Sequence, residues 1–128
     1  MIRLAIESPL SPRGGYSFEE NLEFAQRACR YALSLGYAPF ASHLLYTMPF
    51  LLRDHIPRER ELGMQAGFAW SLEATEAWFC LREGEKALSH GMSEAFLLFR
   101  DVGLPCKGKF FTPLGIFVHD FEIGDMLP

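Results

Sequence analysis

The order of short apolar runs and helix-like segments constrains the fold of this chain more than any other feature. Apolar runs of strand length cover Ile2–Ile6, Tyr37–Ser42 and Ala77–Leu81, and they alternate with segments whose apolar residues recur at helical spacing. A fourth short strand is predicted over Leu104–Lys107. Strands that alternate with helices are typical of an α/β fold with an open parallel sheet and helices on both faces.

The helices are predicted from their start and stop signals. Ser17 and Glu20 have the spacing of a capping box for a first helix, and Gly36 is a typical terminating residue. A second helix is predicted over Arg58–Leu72 and a third over Met92–Val102. The segment between the second strand and the second helix has no clear period, so we expect a loop with a short helical turn.

Composition limits the size and the partners of the protein. The chain has 128 residues, of which 49% are hydrophobic, so we predict one domain over residues 1–128 with an aromatic C-terminal tail from about residue 110. A net charge of −4 argues against a basic surface for a nucleic acid polymer. A small anionic ligand needs only a few local donors and is compatible with this charge.

Cysteine usage and hydropathy indicate the compartment. The three cysteines, Cys29, Cys80 and Cys106, have no CxxC spacing, so neither a disulfide framework nor a metal site is predicted. No apolar run reaches membrane-spanning length, and the opening segment lacks the features of a signal peptide. We therefore expect a cytoplasmic protein with no membrane partner.

Three loops follow the predicted strands and meet at the edge where ligands bind in open α/β sheets. Their polar and aromatic groups suit a nucleotide, because hydroxyl and guanidinium groups bind phosphate and aromatic rings stack on bases. The candidate ligand-binding residues in these loops are Ser8, Arg13, Tyr16, His43, Tyr46, Asp54, Ser89, Gly91 and Met92.

Each of these groups also has a structural interpretation. Ser89 is equally typical of a helix N-cap, and His43 of a buried histidine with a hydrogen-bond partner. Asp54, which precedes two arginines, is compatible with a solvated charge cluster. The first loop is compatible with a turn whose polar residues have no ligand.

Five segments, in order along the chain, carry a resemblance to a known family. The segments "IESPLSP", "GYAPFASHLLYT", "PRERELGMQAG", "SHGMSEA" and "VGLPC" resemble the nucleoside 2-deoxyribosyltransferase-like superfamily, and more closely its small members in bacteriophage genomes. The resemblance covers Ile2 to Cys106. It implies a flavodoxin-like fold, a homo-oligomer, no cofactor, and cleavage or exchange of an N-glycosidic bond through a carboxylate nucleophile, in a bacterial or phage-infected cell.

The resemblance also implies roles for individual residues. Ser8 matches a serine that the family places near sugar or phosphate, and Asn21 matches an asparagine of the first helix. The family's Ser-x-Gly-Met motif, which opens the third helix, is matched by Ser89, Gly91 and Met92. The nearest available nucleophile is Glu94, one residue before Ala95, where the close relatives carry their glutamate. Glu76 stands near the position of an acidic residue that would assist the departing base.

The leading hypothesis is a nucleoside or nucleoside-monophosphate N-glycosidase or deoxyribosyltransferase with Glu94 as nucleophile. A second hypothesis is a nucleotide-binding, sequestering protein that has lost the aligned glutamate. In a third, the tail from Phe110 to Phe121 forms an interface between subunits and the pocket is vestigial.

Overall fold

Five strands form one sheet in the computed structural model, which describes residues 1–128. The first four strands are parallel and the fifth is antiparallel to its neighbour, in the spatial order β2-β1-β3-β4-β5. The mostly parallel sheet confirms the predicted α/β class. The strands are β1 (Ile2–Glu7), β2 (Tyr37–Phe40), β3 (Glu76–Arg82), β4 (Cys106–Phe111) and β5 (Phe117–Phe121).

Four α-helices and a final 3-10 turn connect and follow the strands. The predicted capping box of the first helix is present, because Ser17 and Glu20 each accept a hydrogen bond from the other's backbone N–H. None of the helices has both the length and the apolar character needed to cross a membrane. The elements are α1 (Phe18–Ser34), α2 (Ser42–Tyr46), α3 (Pro57–Ser71), α4 (His90–Asp101) and the 3-10 turn Ile123–Met126.

The two faces of the sheet are covered by different helices. Because side chains alternate along a strand, Trp78 and Cys80 of β3 pack with Phe24 of α1 on one face. Phe79 and Leu81 of the same strand belong to the other core cluster, which includes buried residues of α4. The sheet is therefore buried on both sides, which explains why β3 is an uninterrupted apolar run.

Several element boundaries differ from the sequence predictions. Ser42 begins α2 instead of ending β2, and Arg82 is the last residue of β3 instead of the first residue of a loop. Helix α4 begins two residues earlier than predicted, because Ser89 is its N-cap. Strand β4 begins only at Cys106, because the backbone N–H of Leu104 still donates to Phe99 at the end of α4.

The aromatic tail is part of the fold. Phe110 and Phe111 are the last residues of β4, and Phe111 is fully buried. The ring of Phe117 in β5 stacks on Tyr31 of α1, with 5.3 Å between ring centroids. Ile123 of the 3-10 turn is buried in the other core cluster. Residues of the tail therefore pack in the core on both faces of the sheet.

A close approach between α2 and α3 positions the segment after β2. A Cβ atom built on Gly67 of α3 would lie 2.5 Å from Oγ of Ser42, so only glycine allows this packing. Gly63, one turn earlier, faces Leu52 and Tyr46. Helix α2 therefore packs on the side of α3 that carries Gly63 and Gly67.

Candidate functional site

The largest cavity lies at the carboxyl ends of β1 and β3, where the strand order reverses. From β1 the chain goes to β2 on one side, and the later strands β3 and β4 lie on the other side. Such reversal points are the usual ligand sites of open α/β sheets. The cavity has a volume of about 530 Å³. Among the residues that line it are Glu7, Ser8, Arg13, His43, Asp54, Arg60, Phe68, Leu88, Ser89, Gly91 and Met92.

Ser8 and His43 form a buried polar pair at one side of this cavity. Oγ of Ser8 lies 2.9 Å from Nε2 of His43, and both residues are buried. Burial lowers the pKa of His43 to about 4, because the charged imidazolium loses solvation there. His43 is therefore neutral at pH 7, and its predicted position near the ligand coincides with a structural role in joining α2 to the end of β1.

Glu7 is an acidic residue of the cavity that the sequence analysis did not select. It is the last residue of β1, immediately before Ser8, and its partly buried side chain lines the cavity. Burial raises the pKa of its carboxyl group to about 8. Its place at the carboxyl end of a predicted strand was a usable signal, since catalytic and binding groups concentrate at this edge.

Two arginines at the cavity are held by carboxylates. Nη2 of Arg13 donates to Glu85 at 2.8 Å and to the backbone carbonyl of Ala87 at 2.8 Å, so it joins the first loop to the segment before α4. Nη1 of Arg60 donates to Asp54 and to the hydroxyl of Ser11, each at 2.9 Å. Asp54 and Arg60 thus form a pair that borders the cavity instead of a solvated cluster.

The N-terminus of α4 presents free backbone donors to the cavity. The hydroxyl of Ser89 accepts a hydrogen bond from the N–H of Met92 at 3.2 Å. The preceding amides of His90 and Gly91 have no acceptor within the chain. Both residues line the cavity, so these amides and the helix dipole favour an anionic group there.

Glu94 lies in a second cavity that adjoins the first. Its Oε1 is 2.8 Å from Nε2 of His90, and both side chains are largely exposed. Ala95, the next residue, is fully buried in the core. The second cavity has a volume of about 330 Å³. It shares Arg60, Met64, Phe68, His90 and Gly91 with the first.

Tyr16 and Asn21 contact a buried arginine and do not line the cavity. The guanidinium of Arg82 lies 3.7 Å from the centroid of the Tyr16 ring. Its Nη1 donates to Oδ1 of Asn21 at 2.9 Å, while the amide of Asn21 donates to the carbonyls of Leu10 and Ser11. These contacts fix the first loop, and neither Tyr16 nor Asn21 lines the cavity where ligand contacts were predicted.

Tyr46 and Glu76 also lie outside the main cavity. Tyr46 lines a side cavity of about 60 Å³ between α2 and α3. Glu76 begins β3 at the opposite edge of the sheet, where it accepts a hydrogen bond from Nε1 of Trp78 at 2.6 Å. Glu76 therefore lies away from the cavity, which is at the carboxyl end of β3.

The groups at the cavity suit an organic ligand better than a metal. No set of three or more His, Cys, Asp or Glu side chains is arranged to hold a metal ion. The cavity instead combines apolar side chains, two free backbone amides and one carboxyl group without a partner. Such a mixture of apolar walls and few polar groups is typical of small-molecule sites.

Comparisons with known proteins give a family but no function. A family model described as "Domain of unknown function (DUF7768)" matches residues 3–108. This range extends from the second residue of β1 to the first residues of β4, and it includes every residue named above at the cavity. No curated protein and no solved structure matches the chain.

Proposed function

The chain belongs to the DUF7768 family, and we propose that it binds a nucleoside or its monophosphate and cleaves or exchanges the N-glycosidic bond. The observation that carries this proposal is the joined pair of cavities at the strand-order reversal. One contains free amide donors and apolar walls, and the other contains the carboxylate of Glu94.

Size and polarity favour a nucleotide-sized ligand. A cavity of about 530 Å³ falls within the range of small-molecule sites. Phe68, Leu88 and Met92 offer an apolar surface for a base, and the free amides of His90 and Gly91 offer donors for a phosphate or sugar hydroxyl. The negative net charge is no obstacle, because the phosphate meets these local donors and not the whole surface.

The proposed chemistry uses Glu94 as nucleophile. Its carboxylate attacks the anomeric carbon as the C1′–N bond breaks, and the bond's electron pair leaves with the base. Water or an acceptor base then displaces the glycosyl ester and regenerates the carboxylate. For this step Glu94 has to turn away from His90, and its side chain is 47% exposed at the second cavity.

The test is release of free base. The purified chain at high concentration is incubated with the common ribo- and deoxyribonucleosides and their 5′-monophosphates, and mass spectrometry detects the base. We expect release by the natural chain, loss of release in Glu94→Gln, and full release in Glu83→Gln, whose side chain is exposed and away from both cavities. Unchanged activity in Glu94→Gln would remove Glu94 from the mechanism.

A second candidate function is nucleotide binding without turnover. The specific observation in its favour is the position of the carboxylate, since Glu94 pairs with His90 and the next residue, where the resemblance implies a glutamate, is the buried Ala95. Calorimetric titration with the same nucleotides distinguishes the two. Binding without base release from any of them would support sequestration.

Three further properties belong to the same proposal. The order β2-β1-β3-β4 is the one that flavodoxin-like sheets have, with the antiparallel β5 in the place of their last parallel strand. We also propose a homo-oligomer, which follows from the resemblance, and a cytoplasmic location, which follows from the cysteine usage and the hydropathy of the sequence. Size-exclusion chromatography with light scattering tests the oligomer.

A further inference from the structure

Glu7 occupies an unusual position for an acidic side chain. It lines the same cavity as the apolar side chains of Phe68, Leu88 and Met92. It lies on the sheet face that α3 and α4 cover, because it pairs in register with Phe79 of that face. Within the chain the carboxyl group has neither a hydrogen bond nor an ion pair.

The charged groups around the cavity do not neutralise Glu7. Arg13 from the first loop is bound to Glu85, and Arg60 from α3 is bound to Asp54. His43 from α2 is neutral at pH 7, and exposed His90 at the start of α4 pairs with Glu94. With no cation to hold the carboxylate form, burial raises the pKa of Glu7 to about 8, so the carboxyl group carries a proton at neutral pH.

We propose that Glu7 is the acid that hydrogen-bonds the nucleobase and transfers a proton to it as the glycosidic bond breaks. This inference rests on the proposed function. In the first step the electron pair of the C1′–N bond goes to the base, and the base takes the proton of Glu7. In the second step water adds to C1′ and returns one proton to the Glu7 carboxylate, so the enzyme is restored.

This role orients the ligand. The base lies at the apolar inner part of the cavity with Glu7, and the phosphate lies at the free amides of α4. The opposite orientation would place a phosphate beside an acidic group that has no counter-ion. Glu7 therefore also supplies the acid that Glu76, at the other edge of the sheet, does not.

A substrate whose base leaves without an acid distinguishes proton transfer by Glu7 from a structural role of Glu7. The base of 7-methyl-2′-deoxyguanosine 5′-monophosphate is already cationic and leaves without a proton, whereas that of 2′-deoxyguanosine 5′-monophosphate needs one. In Glu7→Gln we expect base release from the unmethylated nucleotide to fall about 100-fold or more, and release from the methylated one to stay within about threefold. Glu83→Gln is the control, and circular dichroism checks folding.

Two results with these substrates would overturn the role. Equal rates of Glu7→Gln and the natural chain on the unmethylated nucleotide would exclude an acid function. An equal loss on both nucleotides would show that Glu7 only maintains the structure of the cavity.

Binding keeps the inference testable if the proposed function fails. If the natural chain releases no base from either nucleotide, calorimetry between pH 6.5 and 9.5 decides. Affinity for 2′-deoxyguanosine 5′-monophosphate that falls above about pH 8 in the natural chain, but not in Glu7→Gln, would support the hydrogen bond to the base. The same pH dependence in both chains would overturn it.

Discussion

Nε2 of His43 lies 2.9 Å from the hydroxyl of Ser8, although 35 residues separate them in the sequence. The contact joins the first turn of α2 to the residue that follows β1, and it is buried beside the cavity. A buried neutral histidine with a hydroxyl partner keeps two strand-end segments in place without placing a charge there. The pair therefore shapes the cavity, whatever ligand the cavity takes.

His43 gives the stability of the fold a pH dependence. Its pKa of about 4 lies below the ordinary 6.5, so the unfolded chain binds this proton more tightly than the folded chain. Stability is therefore lost as the pH falls from about 6.5 to about 4, by an amount on the order of 3 kcal/mol. In His43→Gln this loss disappears, and urea unfolding at pH 7.5 and pH 4.5 measures it against the natural chain.

Two features make the His43 comparison specific. Exposed His55 supplies a control, because His55→Gln should keep the natural pH dependence. The raised pKa of Glu7 acts in the opposite direction, since it removes stability as the pH rises from about 4.5 to about 8, and it is common to all three chains. An acid-induced loss of equal size in His43→Gln and the natural chain would contradict the prediction.

Arg82 is predicted to be a major contributor to stability. Only 3% of it is exposed, and its guanidinium contacts Tyr16, Asn21 and the backbone carbonyl of Glu20. In Arg82→Leu the side-chain oxygen of Asn21 loses its donor, and we expect a loss of about 3 kcal/mol in the free energy of unfolding.

Arg100 provides the matched control for Arg82. Its side chain is 59% exposed, with a 3.7 Å ion pair to Asp101 and a guanidinium 5.9 Å from the centroid of the Phe96 ring. Arg100→Leu should therefore change the free energy of unfolding by less than about 1 kcal/mol. Chemical denaturation of the two variants at pH 7 compares them, and similar losses would show that the buried network contributes little.

The elements and the place of the site could be predicted from the sequence where local signals are strong. The capping box of Ser17 and Glu20, the terminating glycines and the apolar run of β3 each depend on neighbouring residues, and the structure confirms them. The grouping of Ser8, His43 and Ser89 at one cavity follows from parallel topology, because the carboxyl ends of neighbouring strands meet at one edge.

The roles of individual side chains could not be predicted in the same way, because they depend on distant partners. Nothing near Tyr16 or Asn21 in the sequence indicates that both contact Arg82, which lies more than 60 positions away. The position of Glu7 at the end of β1 is visible in the sequence, but its lack of a partner is not, since this depends on the absence of a cation across the cavity. The sequence alone does not show whether the aromatic residues of the tail pack in the core or at an interface. Their packing depends on the pairing of β5 with β4.

Phe111 tests whether the tail belongs to the core. Its ring is fully buried and has edge-to-face contacts with Phe24 and Tyr31 of α1. We expect Phe111→Ala to lower the free energy of unfolding by about 3–5 kcal/mol, because it leaves a large cavity. Leu114→Ala, in the exposed turn before β5, should change it by less than about 0.5 kcal/mol. Thermal and urea unfolding of both variants measure this, and a small effect at Phe111 would contradict the assigned packing.

Comparison of Ser89 with Ser17 distinguishes helix capping from ligand binding. Each hydroxyl accepts a hydrogen bond from the N–H three residues later, in α4 and α1 respectively, so Ser89→Ala and Ser17→Ala should each cost about 1 kcal/mol of stability. Only Ser89 lines the cavity. We therefore expect Ser89→Ala alone to weaken binding of 2′-deoxyguanosine 5′-monophosphate, by about tenfold in calorimetric titration, since one charge-assisted hydrogen bond contributes about 1.5 kcal/mol or more. Equal affinities of the two variants would mean that the Ser89 hydroxyl does not hold the phosphate.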